Sequence, residues 1–181
     1  MATVSVVSRG IGRKPPSEIR TENDVAFISL TKGFETVIDI ADLAMVSGYR
    51  WVVLINSQTG HAYAVRFEGR KCILMHRMLL SAPSDRQVDH DDGDGLNNRR
   101  GNIRLATPSQ NQANRVMDRR NKLGAKGVSL DRRDALTHPF RACIQHDGKT
   151  IHLGRYATVE EASAAYLGAA KAIYGRFARA E

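Results

Sequence analysis

The amino-acid sequence predicts an α+β fold, and three observations carry that prediction. Short runs of β-branched and aromatic residues alternate with Gly-containing turns from Val25 to Met75. A strand, loop, strand and helix then follow one another from Gln87 to the turn at Thr107-Pro108. From Gly124 onward, three further strands precede one Ala-rich amphipathic helix, as in a three-stranded antiparallel sheet packed on a helix.

Residues 1–24 hold Gly10, Gly12, Pro15-Pro16 and scattered charges without periodicity, the composition of a flexible arm. Arg9, Arg13, Lys14 and Arg20 have the charge to touch phosphates, although a flexible tail is the better reading of them. The β-rich region, residues 25–75, contains strands beginning at Val25, Glu35, Arg50, Ala62 and Lys71, with turns at Thr31-Lys32-Gly33, Gln58-Thr59-Gly60 and Glu68-Gly69-Arg70. A short helix is expected from Asp39 to Met45, capped by Asp39. Trp51, Tyr63 and Phe67 read as core or cross-strand residues, with base stacking the weaker alternative. Cys72 and Cys143 read as small buried thiols in a reducing compartment; without Cys-x-x-Cys spacing they exclude a four-Cys zinc knuckle and a disulfide framework.

His76 opens a short apolar helix that ends before Pro83; it reads either as a structural residue or as one turned toward a site. Next, Asp89 and His90 end a Val-containing strand. A tight Asp/Gly/Asn loop, Asn102, the strand Ile103 to Ala106 and a helix expected to reach about Arg120 follow, with Asn111 in the first turns of that helix. Asp and Asn offer the hard oxygen donors that suit Mg2+. A neutral His offers a base whose pKa lies near working pH. Together these form the minimum set for a metal-assisted hydrolase. Asp91, Asp92 and Asp94 superficially suggest a calcium loop, but counting from Asp89 puts Asp94 where Gly is required and Arg100 where a bidentate Glu is needed, so a solvated acidic turn is the better reading. The following helix is polar, with Gln110, Asn111, Asn114 and Arg115 on a side that could face DNA or water.

Charge points to the substrate class. The formal net charge is +8 and the pI about 9.9. Arg99, Arg100, Arg104, Arg115, Arg119, Arg120 and Lys122 cluster with only Asp118 against them. A basic cluster flanking a hydrolytic site suits a polyphosphate. No apolar run approaches the roughly 20 residues of a membrane span, and the N-terminus lacks a signal-peptide pattern, so a soluble protein of the cytoplasm is expected, in a bacterial or phage-infected cell.

In the C-terminal segment, Asp147-Gly148 is a hairpin turn and Thr158 to Glu161 a capping box. The helix that follows places Ala162, Ala165, Tyr166, Ala169 and Ile173 on one face. Phe140, Ala142 and Ile144 alternate onto one side of the sheet. Arg141, Cys143 and Gln145 fall on the other, joined by Lys126, Lys149, His152 and Arg155. That second face reads as a DNA-contacting surface or as a half-exposed polar sheet.

Two family resemblances are carried by these residues. Asp89-His90, Asn102 and Asn111, within the words Val-Asp-His, Gly-Leu-Asn-Asn-Arg-Arg, Asn-Ile-Arg-Leu-Ala-Thr and Gln-Asn-Gln-Ala-Asn, resemble the ββα-metal site of HNH nucleases. The match is to the His-Asn-Asn variant of phage and intron-encoded homing endonucleases. The resemblance implies that Asp89 and Asn111 hold a divalent metal (Mg2+ or Mn2+), that His90 activates water, and that Asn102 braces the loop. Asn in place of the third motif His suits a hard cation better than zinc. Arg99, Arg100, Arg104 and Arg115 would then anchor flanking phosphates. Gly-Tyr-Arg-Trp, Ala-Tyr-Ala-Val-Arg and Met-His-Arg also match the N-terminal part of small phage HNH proteins.

The words Lys-Gly-Val, Phe-Arg-Ala-x-Ile, Ile-His-Leu-Gly-Arg-Tyr and Glu-Glu-Ala-x-x-Ala-Tyr resemble the APETALA-type (ethylene-responsive) DNA-binding domain, whose sheet lies in the major groove. Ser129, Gln145 and His152 stand where the plant-type domain has Arg or Trp at several places. The expected organisation is therefore an arm (1–24), a β-rich region (25–75), an HNH motif (76–122) and a DNA-binding domain (123–181). The expected function is metal-dependent endonucleolytic cleavage of double-stranded DNA, without a membrane or protein partner. The alternative is a non-catalytic DNA-binding protein with a degenerate HNH fold. An RNA-binding role ranks last, for want of stacking motifs.

Overall fold

Alternating burial turns the N-terminal part of the chain into small antiparallel sheets, in a computed structural model that describes residues 14–117, 121–132 and 137–179. The chain divides into two units, residues 1–105 and 106–181. The division falls between Leu105 and Ala106, inside the stretch read as a single nuclease motif.

In the first unit, β1 (Ile19–Glu22), β2 (Val25–Ser29) and β3 (Glu35–Asp39) form an antiparallel sheet in that order. Strand β1 lies within the stretch read as a flexible arm: Ile19 packs against the core, and its backbone pairs with β2. Ala26, Ile28 and Ile38 are completely buried. A second sheet, β4 (Val52–Ile55), β5 (Ala62–Glu68) and β6 (Lys71–Leu74), shares that core through Trp51 and Ala64, closed by Met75 and Leu79 of α2 (Met75–Leu79). Burial of side chains as large as Met75 and Leu79 contributes about 1.5–3 kcal/mol each. β7 (Gln87–His90) and β8 (Ile103–Ala106) make a two-stranded sheet.

Three expectations are corrected here. Cys72, read as a buried thiol, is exposed, because it sits opposite its cross-strand partner Phe67 (59% exposed) at the outer end of the β5–β6 hairpin, beyond the core. The helix expected from Asp39 is a 3-10 turn, Ile40–Asp42, followed by the short α1 (Leu43–Val46). Asp39 makes no side-chain cap; its carboxylate instead accepts from the backbone N–H of Arg100 (2.6 Å) and from Arg99 Nε (3.3 Å).

The second unit begins with α3 (Pro108–Asn114), started by a complete capping box between Thr107 and Gln110 with Pro108 in the first turn. The helix ends well before Arg120. Arg115 is already extended (ψ 140°), and Lys126 Nζ donates to the carbonyls of Ala113 and Arg115, acceptors that a longer helix would have satisfied itself. Arg119 and Arg120 lie outside the described residues. β9 (Val128–Leu130), β10 (Phe140–His146) and β11 (Lys149–Tyr156) form an antiparallel sheet in the order β11-β10-β9. Asp147 (φ 46°) and Gly148 (φ 74°) make the hairpin turn. α4 (Val159–Tyr174) buries Ala162, Tyr166, Ala170 and Tyr174. A Cβ at Gly127 would come within 2.1 Å of the Tyr166 ring, so only glycine fits there. Thr158 caps α4 through Glu161 N–H, while the Glu161 carboxylate accepts from Ala157 N–H, one residue earlier than a full box requires. Among the described residues, no helix is long and apolar enough to cross a membrane.

Candidate active site

Asp89 and His90, consecutive at the end of β7, are both buried, at 4% and 6% exposure. The His90 ring lies 5.1 Å from that of His76, almost perpendicular to it, and 6.2 Å from that of Tyr63. Burial first, then the neighbouring charges of His90 and Arg77, push the His76 pKa down to about 3, so this imidazole stays neutral. Burial also pushes His90 below the ordinary histidine value. The hydrogen bond to Asn98 and the charges of Asp92, Asp89 and Asp94 oppose that shift without overcoming it. At neutral pH His90 is therefore an uncharged imidazole with one nitrogen able to accept a proton.

The loop after His90 is built around Asp92 and Asn102. Asp92 Oδ1 accepts from Asp94 N–H (2.8 Å) and from Asn102 Nδ2 (2.9 Å), while Oδ2 accepts from Asn97 Nδ2 (2.7 Å). Asn102 also donates to the Asn97 carbonyl (2.8 Å), and its Oδ1 accepts from Asp92 N–H (3.0 Å). Burial alone would raise the Asp92 pKa, but these hydrogen bonds outweigh it and hold the carboxylate below its usual value. Asp92 and Asp94 thus fasten the loop; they are not simply a solvated turn. A Cβ on Gly95 would lie 2.4 Å from the Ala62 carbonyl oxygen, so the loop can approach β5 only with glycine there. A residue that the sequence reading missed completes the set. Asn98 is wholly buried, and its Oδ1 lies 3.2 Å from His90 Nε2.

Three arginines of the basic cluster, Arg99, Arg100 and Arg104, are paired with carboxylates. Arg104 places Nε and a terminal nitrogen each 2.8 Å from Asp89 Oδ2, with its other terminal nitrogen 2.6 Å from Asp91. Arg100 forms a two-pronged pair with the buried Asp42, both bonds 2.8 Å. The acidic partners of Arg99 and Arg100 come from β3 and the turn after it, which the linear charge count could not pair with them. Arg104, expected to hold phosphate, is a partner of Asp89.

In the second unit, Asn111 is half-buried on α3, and its N–H donates to the Thr107 carbonyl (3.0 Å). Asn114, expected to face DNA, is buried, whereas Arg115 is exposed. Lys126 also leaves the expected DNA face, since its ammonium caps α3; burial and the charge of Arg179 lower its pKa to about 8. On the sheet, Cys143 Sγ lies 3.2 Å from His152 Nδ1, Gln145 Nε2 donates to Thr150 Oγ1 (3.0 Å) and Arg155 pairs with Asp131 (2.8 Å). Lys149 is exposed and Arg141 half-buried. Ala142 and Ile144 face inward as expected.

Among the described residues, no three His, Cys, Asp or Glu side chains gather into a metal-binding group. The carboxylate of Asp89 offers the hard oxygen donor that suits Mg2+, a cation that keeps several waters and takes substrate phosphate oxygens to complete its shell.

Residues 81–113 match a family model described as HNH endonuclease. The chain is 30% identical over 153 residues to a protein named Uncharacterized HNH endonuclease L560, of Acanthamoeba polyphaga mimivirus, across 81% of this chain and 74% of that one. It is 31% identical over 97 residues to Protein 3.8 of Escherichia phage T7, across 54% of this chain and 77% of the phage protein. No solved structure matches.

Proposed function

The chain belongs to the HNH endonuclease family and is a DNA endonuclease, and from that premise we propose that it hydrolyses phosphodiesters of double-stranded DNA with His90 as general base and a divalent cation as cofactor. The observation that carries this reading is a neutral, buried His90 beside a buried Asp89, on a loop locked by Asn102, inside the stretch that matches the family. His90 accepts a proton from water, the resulting oxygen attacks phosphorus, and the bond to the 3′-oxygen breaks. Asn102 keeps the loop closed by tying Asp92 to Asn97. Asp89 and Asn111 are the proposed cation donors, and Arg104 fixes the orientation of the Asp89 carboxylate. When bound, Mg2+ or Mn2+ supplies Lewis-acid stabilisation of the charge that develops on the phosphoryl and leaving oxygens.

The viral origin of both relatives supports a phage or homing type. The second unit is proposed to tether the duplex in the APETALA manner, through Arg141, Gln145 and His152 on one sheet face; Lys149, expected there too, pairs across the strands with His146 and so falls on the face of Ile144, exposed at the hairpin end. Conversion of supercoiled plasmid in Mg2+ or Mn2+, against an EDTA control, tests the reading. His90→Ala should lower cleavage by roughly 10²–10⁴-fold, the worth of a general base, and leave DNA affinity nearly intact. Retained cleavage in that variant would remove His90 as the base.

A further inference from the structure

His90 is joined to the first sheet by a chain of buried hydrogen bonds with a forced direction. Asn98 Oδ1 lies 3.2 Å from His90 Nε2, Asn98 Nδ2 donates to Thr36 Oγ1 at 2.8 Å, and Thr36 Oγ1 donates to the Leu96 carbonyl at 2.7 Å. Asn98 is 0% and Thr36 1% exposed, so water has no place in the chain. We propose that Thr36 and Asn98 are positioning residues that select the tautomer of His90, placing its hydrogen on Nε2 and leaving Nδ1 as the nitrogen that accepts the proton of the attacking water.

The direction follows from the far end. A carbonyl oxygen only accepts, so the single hydroxyl hydrogen of Thr36 is committed to Leu96. Thr36 Oγ1 must then accept from Asn98, which has to present its NH2 group there. The other end of the same amide is consequently an oxygen, also purely an acceptor. An acceptor facing Nε2 requires that nitrogen to carry the hydrogen. Turning the Asn98 amide over would set its oxygen against Thr36 Oγ1, whose one hydrogen is given to Leu96, leaving two buried acceptors facing each other. The backbone holds the parts in register. Val37 N–H donates to Leu96 O (3.0 Å) and Asn98 N–H to Val37 O (2.8 Å), a short parallel bridge between β3 and the loop. The β1–β2–β3 sheet is therefore more than a support: its residue 36 determines which nitrogen of a residue in a different sheet is the base.

This assignment rests on the reading of His90 as general base, and the test separates the two. Ring nitrogens of His90 are followed by long-range 1H–15N spectra of the full chain, with its signals identified among the 6 histidines by their loss in His90→Ala. The wild type should show a hydrogen-bearing Nε2 and a bare Nδ1. Thr36→Val keeps the branched shape but removes the hydroxyl; it should bring in the Nδ1–H form and lower kcat roughly 10- to 100-fold, the usual cost of losing an outer-shell orienting partner, with KM unchanged. Thr36→Ser restores the hydroxyl and should recover both spectrum and rate. A wild-type ring carrying its hydrogen on Nδ1 overturns the assignment, and this needs no variant to fold. A folded Thr36→Val that keeps the wild-type kcat, or loses it without a change of tautomer, overturns it as well. Undiminished cleavage by His90→Ala instead defeats the underlying general-base reading, while the wild-type spectrum still judges the hydrogen-bond chain.

Discussion

At the scale of single residues, His76 shows what burial beside His90 does to an ionisable ring. Its folded pKa of about 3 lies below the ordinary value of 6.5 because the ring is buried beside Tyr63 and His90. The unfolded chain therefore takes up a proton first on acidification. This contribution to stability is complete above about pH 6.5 and is lost progressively as pH falls toward 3, by an amount on the order of a few kcal/mol. Urea midpoints should fall through that window, and His76→Phe, which keeps an aromatic ring in place, should flatten the dependence. His90 is depressed in the same direction and would supply the slope that remains. Asp89, His90, Asn102 and Asn111 are the site residues that the sequence proposes, because their chemistry and spacing are local. Asn98 is not among them. It stands in plain view in the Asn97-Asn98 doublet, but its value comes from complete burial and from Thr36, a partner 62 residues away.

Among the elements, strands and caps were the most readable features and ends the least. The five strand runs of the N-terminal region appear close to their expected limits, since β-branched alternation and Gly turns are local signals. The start of α3 was equally plain, at Thr107-Pro108. Thr107→Ala should cost about 1 kcal/mol of stability by removing the acceptor for Gln110 N–H, measurable by chemical denaturation. The end of α3 was overestimated because its last carbonyls are capped by Lys126, beyond the helix itself. The arginines between β8 and its preceding loop misled for a similar reason. Their acidic partners, Asp39 and Asp42, lie far back in the chain.

For the molecule as a whole, pairing of Arg99, Arg100 and Arg104 shifts the expected phosphate contacts toward the remaining cations, among them Arg115, Arg141 and Lys149. Duplex binding should weaken steeply with added salt, since each neutralised phosphate releases a counterion. A double variant, Arg141→Ala with Lys149→Ala, should weaken binding and reduce that salt slope by about 2, with single-turnover cleavage of saturated DNA little changed. Equal losses in binding and chemistry would argue against a separate tethering unit. The division between Leu105 and Ala106 was not legible, because the sequence motif is continuous across it while the packing is not.

The bridge between Val37 and Asn97 also has a kinetic side. Its neighbours Thr36 and Asn98 are separated by 62 residues, and closing so long a loop is entropically slow compared with zipping a local hairpin. A refolding chain should therefore regain the fluorescence signature of the enclosed Trp51, whose surroundings are mostly nearer in sequence, before it regains the ability to cut. Stopped-flow emission and quenched activity assays on the same time course would reveal the lag, during which the newly made enzyme is folded in its hairpins yet harmless to the genome around it.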